Sequence, residues 1–275
     1  MKTIIVATDY SNDANNAMLY AAELARVANA RLVLLNAYNL SLPGSNTILP
    51  VSLIDTAIKN NQAHLKEIAD GIATTYGISV DHIARVANLK EELDYQAVHL
   101  QADLIIIGLS RVYEDSIFNS VAISIMRHSK YPVLVVPEDA SFKGISTILF
   151  AYDPDCISSA NKLLLLKEIA GLFNAQVHVH HIEKNKSNAT AEDESKCAFG
   201  LEDALKEVGH SYKDIHYNNI VEGIKEEIEN TNADLLLMVP HKYSFLESIM
   251  HKSKTGMLAR WVHIPLLTIP NATVA

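Results

Sequence analysis

Thr3-Ile-Ile-Val-Ala-Thr-Asp9 is an apolar run closed by an aspartate, and the chain writes it again as Thr147-Ile-Leu-Phe-Ala-Tyr-Asp153. Such a run has strand length, and its β-branched, unalternating character is that of a strand buried on both faces. A second echo pairs Ala102-Asp103-Leu104-Ile-Ile-Ile-Gly108 with Ala233-Asp234-Leu235-Leu-Leu-Met-Val239. A third pairs Pro132-Val-Leu-Val-Val-Pro137 with Pro265-Leu-Leu-Thr-Ile-Pro270. Three echoes in the same order predict a duplicated unit of about 140 residues, an ordinary domain size. The join falls in the polar, glycine-containing stretch Glu138–Gly144, which gives domains of 1–143 and 144–275.

Outward from these runs, strands alternate with helical patterns. The first half reads as strands at Lys2–Thr8, Arg31–Ala37, Val80–Val86, Leu104–Gly108 and Val133–Val136. Between them, Ser11 is placed to cap a helix carrying Met18, Ala21, Leu24, Ala25 and Ala28 at helical spacing. Further helices are predicted at Leu53–Tyr76 (stopping before Gly77), Leu89–Leu100 and Ser116–His128. The second half follows with strands at Ser146–Ala151, Gln176–Ile182, Tyr212–Tyr217, Asp234–Val239 and Leu266–Ile269, and helices at Ser158–Phe173, Glu192–Val208, Ile220–Asn230 and Phe245–Trp261. This alternation predicts an α/β fold in which each half is a five-stranded, doubly wound parallel sheet flanked by helices. The final strands are short, apolar and fenced by prolines. Their bare edges invite pairing with each other, as a pseudo-dimer of the two halves.

Composition narrows the function. Of 275 residues, 49% are hydrophobic and 20% charged, which excludes a disordered chain, and the formal net charge of −9 argues against a phosphate backbone or an anionic membrane as partner. The two cysteines, Cys156 and Cys197, form no CxxC motif and no disulfide framework. The opening apolar run is too short for a signal peptide, and no stretch is long enough to span a membrane. A soluble cytoplasmic protein is expected. Twelve histidines are present, and the second half holds several, among them His178, His180, His181, His241, His251 and His263. Alternation puts His178 and His180 on one strand face and His181 on the other. His181, His241 and His251 with Asp153, and Cys156 nearby, match no metal motif, and no metal is assigned. The acidic stretches Glu192–Glu194 and Glu222–Glu229 read as solvated helix faces. No nucleophile elbow, Walker loop or HExxH motif occurs, so no catalytic residue is assigned.

In doubly wound sheets ligands sit beyond the carboxyl ends of the strands. Thr8, Asp9, Ala37 and Gly108 lie at such ends. Asp9 can accept hydrogen bonds from a base or ribose, or it can cap its own loop. Gly108 opens the loop Gly108-Leu-Ser-Arg-Val-Tyr-Glu-Asp-Ser-Ile-Phe-Asn-Ser120. In it Arg111 can reach a phosphate, and Asn119, Ser120 and Val121 fall at a helix start, where free N–H groups favour anions. An ordinary strand-to-helix connection accounts for the same residues.

The chain resembles the universal stress protein family in its tandem form. The resemblance rests on Val6-Ala-Thr-Asp9, on Ala102–Gly108, and on the helix that leads into Arg127-His-Ser-Lys-Tyr-Pro-Val-Leu-Val-Val-Pro137, with the second-half echoes. It implies Rossmann-like domains of the adenine nucleotide alpha hydrolase type, joined through their last strands within one chain. It implies a stress-response role, an unknown protein partner and, in the family's nucleotide-binding branch, ATP or a related adenine nucleotide. That branch carries G-x2-G-x9-G-[ST] after the fourth strand. Here Gly108 stands for the first glycine, Arg111 for the second, Asn119 for the third and Ser120 for the hydroxyl, in a shortened loop. Asp9 stands for the base-and-ribose aspartate and Ala37 for the residue whose backbone meets adenine. In the second half Val239 and Pro240 replace the first glycine region, and the loop to Ser253 has no glycine. Any nucleotide is therefore expected weakly and in the first domain, with a binding and regulatory role ahead of a slow nucleotide hydrolase or a ligand-free scaffold. Arg111→Gly and Asn119→Gly are each expected to raise ATP affinity in a calorimetric titration. A fall with Arg111→Gly would assign Arg111 a phosphate contact, and no change with either would remove the loop from the site.

Overall fold

The computed structural model describes residues 1–38, 51–110, 117–152, 163–184, 201, 205–217, 219–239 and 263–270. The predicted helices at Glu192–Val208 and Phe245–Trp261 lie almost wholly outside the described residues, as do Asp153, Cys156, Cys197, His241, His251 and Ser253. Contacts divide the chain into two compact units, Met1–Gly108 and Leu109–Ala275.

In the first unit, β1 (Thr3–Ala7) is followed by α1 (Asn12–Ala28), β2 (Arg31–Tyr38), α2 (Val51–Tyr76), β3 (Val80–Val86), α3 (Leu89–His99) and β4 (Leu104–Leu109). The strands are parallel in the order β3-β2-β1-β4. β1 and β4 are buried along their whole length, which is why their sequence shows no alternation. β3 lies at the edge and is largely exposed. Ser11 caps α1 as expected, its hydroxyl accepting from the Ala14 N–H at 3.4 Å. Gly77, with φ of 65°, ends α2.

The second unit contains α4 (Ile117–His128), β5 (Val133–Pro137), β6 (Thr147–Tyr152), α5 (Leu164–Phe173), β7 (Gln176–Lys184), β8 (His210–Tyr217), α6 (Ile220–Thr231), β9 (Leu235–Met238) and β10 (Leu266–Thr268). Strand order is β5-β10-β9-β6-β7-β8. The five strands of the second repeat are mutually parallel in the order that the first repeat uses, so the duplication read from three echoes is a duplication of topology. β5 joins them antiparallel, with Val135 opposite Leu266 and Val133 opposite Thr268. This is the predicted meeting of the two final strands. It also accounts for the compact units dividing as early as Gly108: β5, although it ends the first series of strands, bonds with the last strand of the second.

One device ends four of the helices. Asn29, Gln101, Asn174 and Asn232 each take a left-handed conformation, with φ of 49° to 52°. The alanine after each donates its N–H back into the last turn: Ala30 to Ala25, Ala102 to Ala97, Ala175 to Ala170 and Ala233 to Ile228, at 2.8–3.1 Å. These alanines are buried. The motif satisfies helix-end carbonyls and turns the chain into the next strand, with asparagine doing at three of the four what glycine usually does.

A fragment ending at residue 143 carries β5 without β10 and exposes its pairing edge. It is expected to self-associate in light scattering. A monodisperse monomer that melts with the full chain would show that β5 does not depend on this pairing.

Candidate functional site

β1 delivers Thr8 and Asp9 beyond its carboxyl end. The Thr8 N–H still bonds the Leu35 carbonyl at 2.9 Å, so the strand's pairing carries one residue past its formal end. Asp9 Oδ1 then accepts from the Ser11 N–H at 3.0 Å and from the Ser11 hydroxyl. One carboxylate oxygen is thus taken by the capping role that the sequence left open beside ligand binding.

Between them Tyr10 adopts φ of 68°, left-handed backbone that disfavours a side chain by about 1–2 kcal/mol. Its surroundings hold it there. Its N–H bonds Thr8 Oγ1 at 3.0 Å, and its carbonyl accepts from Asn15 Nδ2 at 3.2 Å. Its ring lies 4.9 Å from that of His64, and its hydroxyl donates to Asn61 Oδ1 at 2.7 Å. Asn61 Nδ2 donates to Asn36 Oδ1 at 2.8 Å, and Asn36 Nδ2 to the Thr8 carbonyl at 2.7 Å. These bonds close a ring through Thr8, Asn36, Asn61 and Tyr10 that fastens β1, β2 and α2 together. Burial first, and then the neighbouring Tyr38, push the Tyr10 phenol up to about 12, so it remains a donor at neutral pH.

At the end of β2, Ala37 is buried and Tyr38 follows it. The Tyr38 hydroxyl is buried and has no hydrogen-bond partner among the described residues. Gly108 comes to the same end of the sheet from β4, but its open side faces protein. A Cβ there would stand 2.5 Å from the Asp13 carbonyl oxygen and 2.8 Å from the Ala14 nitrogen. The glycine is therefore needed for the first turn of α1 to lie on β4, whatever ligand is present.

Of the predicted residues, the structure brings Thr8, Asp9, Ala37 and Gly108 to one sheet end. Arg111 lies outside the described residues. Asn119 and Ser120 fall on the first turn of α4, with their side chains outside the description, and Val121 is half-buried on the same helix. Residues 1–137 match the model of the universal stress protein family. The chain belongs to that family. Universal stress protein Slr1230 of Synechocystis sp. is 26% identical over 303 residues, covering 98% of this chain and 99% of that protein. A universal stress protein from Archaeoglobus fulgidus is 16% identical and superposes with a TM-score of 0.75, covering 98% of each chain. A universal stress protein solved in complex with cAMP is 25% identical over 49% of this chain and 96% of its own, with a TM-score of 0.37.

Within this universal stress protein the sequence reading passed over Tyr10, Asn36, Tyr38, Asn61 and His64. Asn36 had a visible signal, a lone amide in the buried run Leu32-Val-Leu-Leu-Asn-Ala37. Asn61 had none, because nothing in α2 marks the turn that faces the strand ends.

Two second-half readings are corrected. β7 runs two residues past the predicted Ile182, to Lys184, so His181 is inside the strand. Glu227, read with Glu222–Glu229 as a solvated face, is 1% exposed. His178 and His180 do share a face, their rings 6.0 Å apart, while His181 turns towards Asp214. Among the described residues, no three His, Cys, Asp or Glu side chains gather as metal ligands, and no helix is long and apolar enough to cross a membrane.

Gly108→Ala is expected to destabilise the protein by about 1–3 kcal/mol, as overpacking against a backbone does. Urea unfolding measures it, and a wild-type midpoint would mean that α1 yields freely.

Proposed function

We propose that this universal stress protein is a stress-response regulator that takes an adenine nucleotide, weakly, at the strand ends of its first repeat. The observation that carries the reading is the Tyr38 hydroxyl. A buried hydroxyl without a partner is unfavourable by about 1–3 kcal/mol. It lies at the carboxyl end of β2, directly after Ala37, beside a strained Tyr10 and a closed amide network. Strain, and a hydroxyl with no partner among the described residues, gathered at the ligand end of a doubly wound sheet support a binding role.

Asp9 keeps its second carboxylate oxygen for a ribose or base, and the backbone at Ala37 serves the base. Asn119, Ser120 and Val121 are assigned to the phosphates, with Arg111 standing in a glycine's place beside them. Weak binding follows from the loop: two glycine positions carry side chains, and Gly108 is committed to α1. Binding and release, with no catalytic group assigned, favour regulation over turnover.

The test is calorimetry of the full chain with ATP, ADP and AMP, with and without magnesium. Tyr38→Phe is expected to lower affinity about five- to tenfold, the worth of one hydrogen bond, with stability unchanged or raised. Equal affinities would remove Tyr38 from the site. No saturable heat with any of the three would end the reading.

A further inference from the structure

The second unit buries a charged cluster that its own duplicate lacks. His180 on β7 is 3% exposed and Glu227 on α6 is 1% exposed. Glu227 Oε2 lies 2.9 Å from His180 Nδ1. By geometric criteria that ring nitrogen has no hydrogen-bond partner among the described residues, so the contact is an ion-pair approach rather than a well-aligned hydrogen bond. Both Glu227 oxygens accept from Lys213 Nζ at 3.1 Å, and Asn230 Nδ2 donates to Oε1 at 3.2 Å. Lys213 sits on the edge strand β8 directly opposite His180, and its side chain is 53% exposed.

The first repeat shows what the fold requires here. Strand register puts Leu35 in the place of His180 and Ile83 in the place of Lys213. Counted from the capping asparagines, Asn88 and Asn219, Gln96 holds the place of Glu227. The position is met by two apolar side chains and a neutral amide, so the charges in the second repeat are not needed to build a doubly wound sheet. Buried ion pairs seldom stabilise more than apolar packing of the same volume.

With His180 neutral the cluster carries one negative and one positive charge. A proton on His180 would make two cations compete for one buried carboxylate. His180 cannot leave the sheet interior, whereas half-exposed Lys213 has water to move into. We propose that Glu227 is a proton-operated latch: with His180 neutral it holds Lys213 and ties α6 to the edge strand β8, and when His180 takes up a proton it exchanges Lys213 for His180 and lets α6 and β8 open.

The groups facing His180 are Glu227 from α6, Lys213 from β8 and His178 from its own strand, while β6 presents the non-titrating Leu149 and Ala151 on that face; Glu227 itself also meets Tyr217 of β8, whose phenol, pushed up to about 12 by burial first and then by Glu226 and Glu227, keeps its proton throughout. Burial outweighs the pull of Glu227 and holds the imidazole below its ordinary 6.5, with Lys213 and His178 adding to the effect. For a histidine whose folded-state pKa is lowered, the contribution to stability is complete above about 6.5 and is lost as pH falls from there towards the folded value.

The experiment is amide hydrogen exchange of the full chain at pH 7.5, 6.5 and 5.5, corrected for intrinsic rates, with α3 as internal control. The opening equilibrium of Ile220–Thr231 and of β8 is expected to rise up to about tenfold per pH unit below 6.5, the slope of one proton, while α3 stays flat. His180→Leu, the first repeat's residue, is expected to remove that rise. Should this variant not fold, the ring resonances of His180 in the unaltered chain answer the same question, with a midpoint below 6.5 that coincides with the opening. A flat response in α6, an equal rise in α3, a slope that His180→Leu leaves intact, or a ring midpoint at or above 6.5 would overturn the proposal.

Discussion

The register of each repeat's central strands hangs on one carboxylate. Asp103, at the entry to β4, takes the N–H groups of Lys2 and Thr3 on Oδ2, at 2.6 and 2.9 Å, and returns its own N–H to the Thr3 carbonyl at 2.9 Å. Asp234, at the entry to β9, does the same to Ser146 and Thr147, at 2.7 and 3.0 Å, and to the Thr147 carbonyl at 2.9 Å. Strands buried on both faces have little to fix their register, because a slip exchanges one apolar residue for another. Charge-assisted bonds to two successive amides remove that freedom. With Ile4 opposite Leu104 and Ile148 opposite Leu235, the strand ends bearing Asp9 and Gly108 arrive together, and so do β6 and β9.

From the sequence the aspartates were visible and their work was not. Ala102-Asp103 and Ala233-Asp234 mark the repeat because they recur, yet a carboxylate at a strand entry gives no sign of which amides it will meet. The layered fold was legible for a simpler reason. Short apolar runs alternating with helical periodicity leave a parallel sheet as the arrangement that buries them, and the final strands, oily and fenced by proline, point to each other. The edge strand β8 was found in place but read too short, since half-buried His210 and exposed Ser211 are polar and add no apolar signal.

The candidate site was legible by position and not by content. The ends of β1, β2 and β4 follow from topology, which located Asp9, Ala37 and Gly108. The polar ring of Thr8, Asn36, Asn61 and Tyr10 does not, because its members are joined only when α2 is laid across the strand ends. Gly108 shows the limit most clearly. A glycine after a buried strand has the same appearance whether it admits a phosphate or an adjoining helix, and only the Asp13 carbonyl 2.5 Å from its missing Cβ distinguishes the two.

Among the described residues, the polar clusters that set the two repeats apart stand at different depths. In the first they stand at the sheet's carboxyl edge, where Tyr10, Asn36 and Tyr38 are within reach of anything that binds there. In the second they lie in mid-strand under α6, where His180 and Glu227 are reachable by a proton and by little else. A buried polar group adds less to stability than an apolar one that fills the same space, so each cluster is a departure from what folding alone selects. Tyr10 holds a left-handed backbone that glycine would take without strain, and Glu227 holds a charge where Gln96 suffices in the duplicate. The departures do not coincide in the two repeats. Their divergence fits a chain in which one repeat answers a small molecule and the other answers its medium.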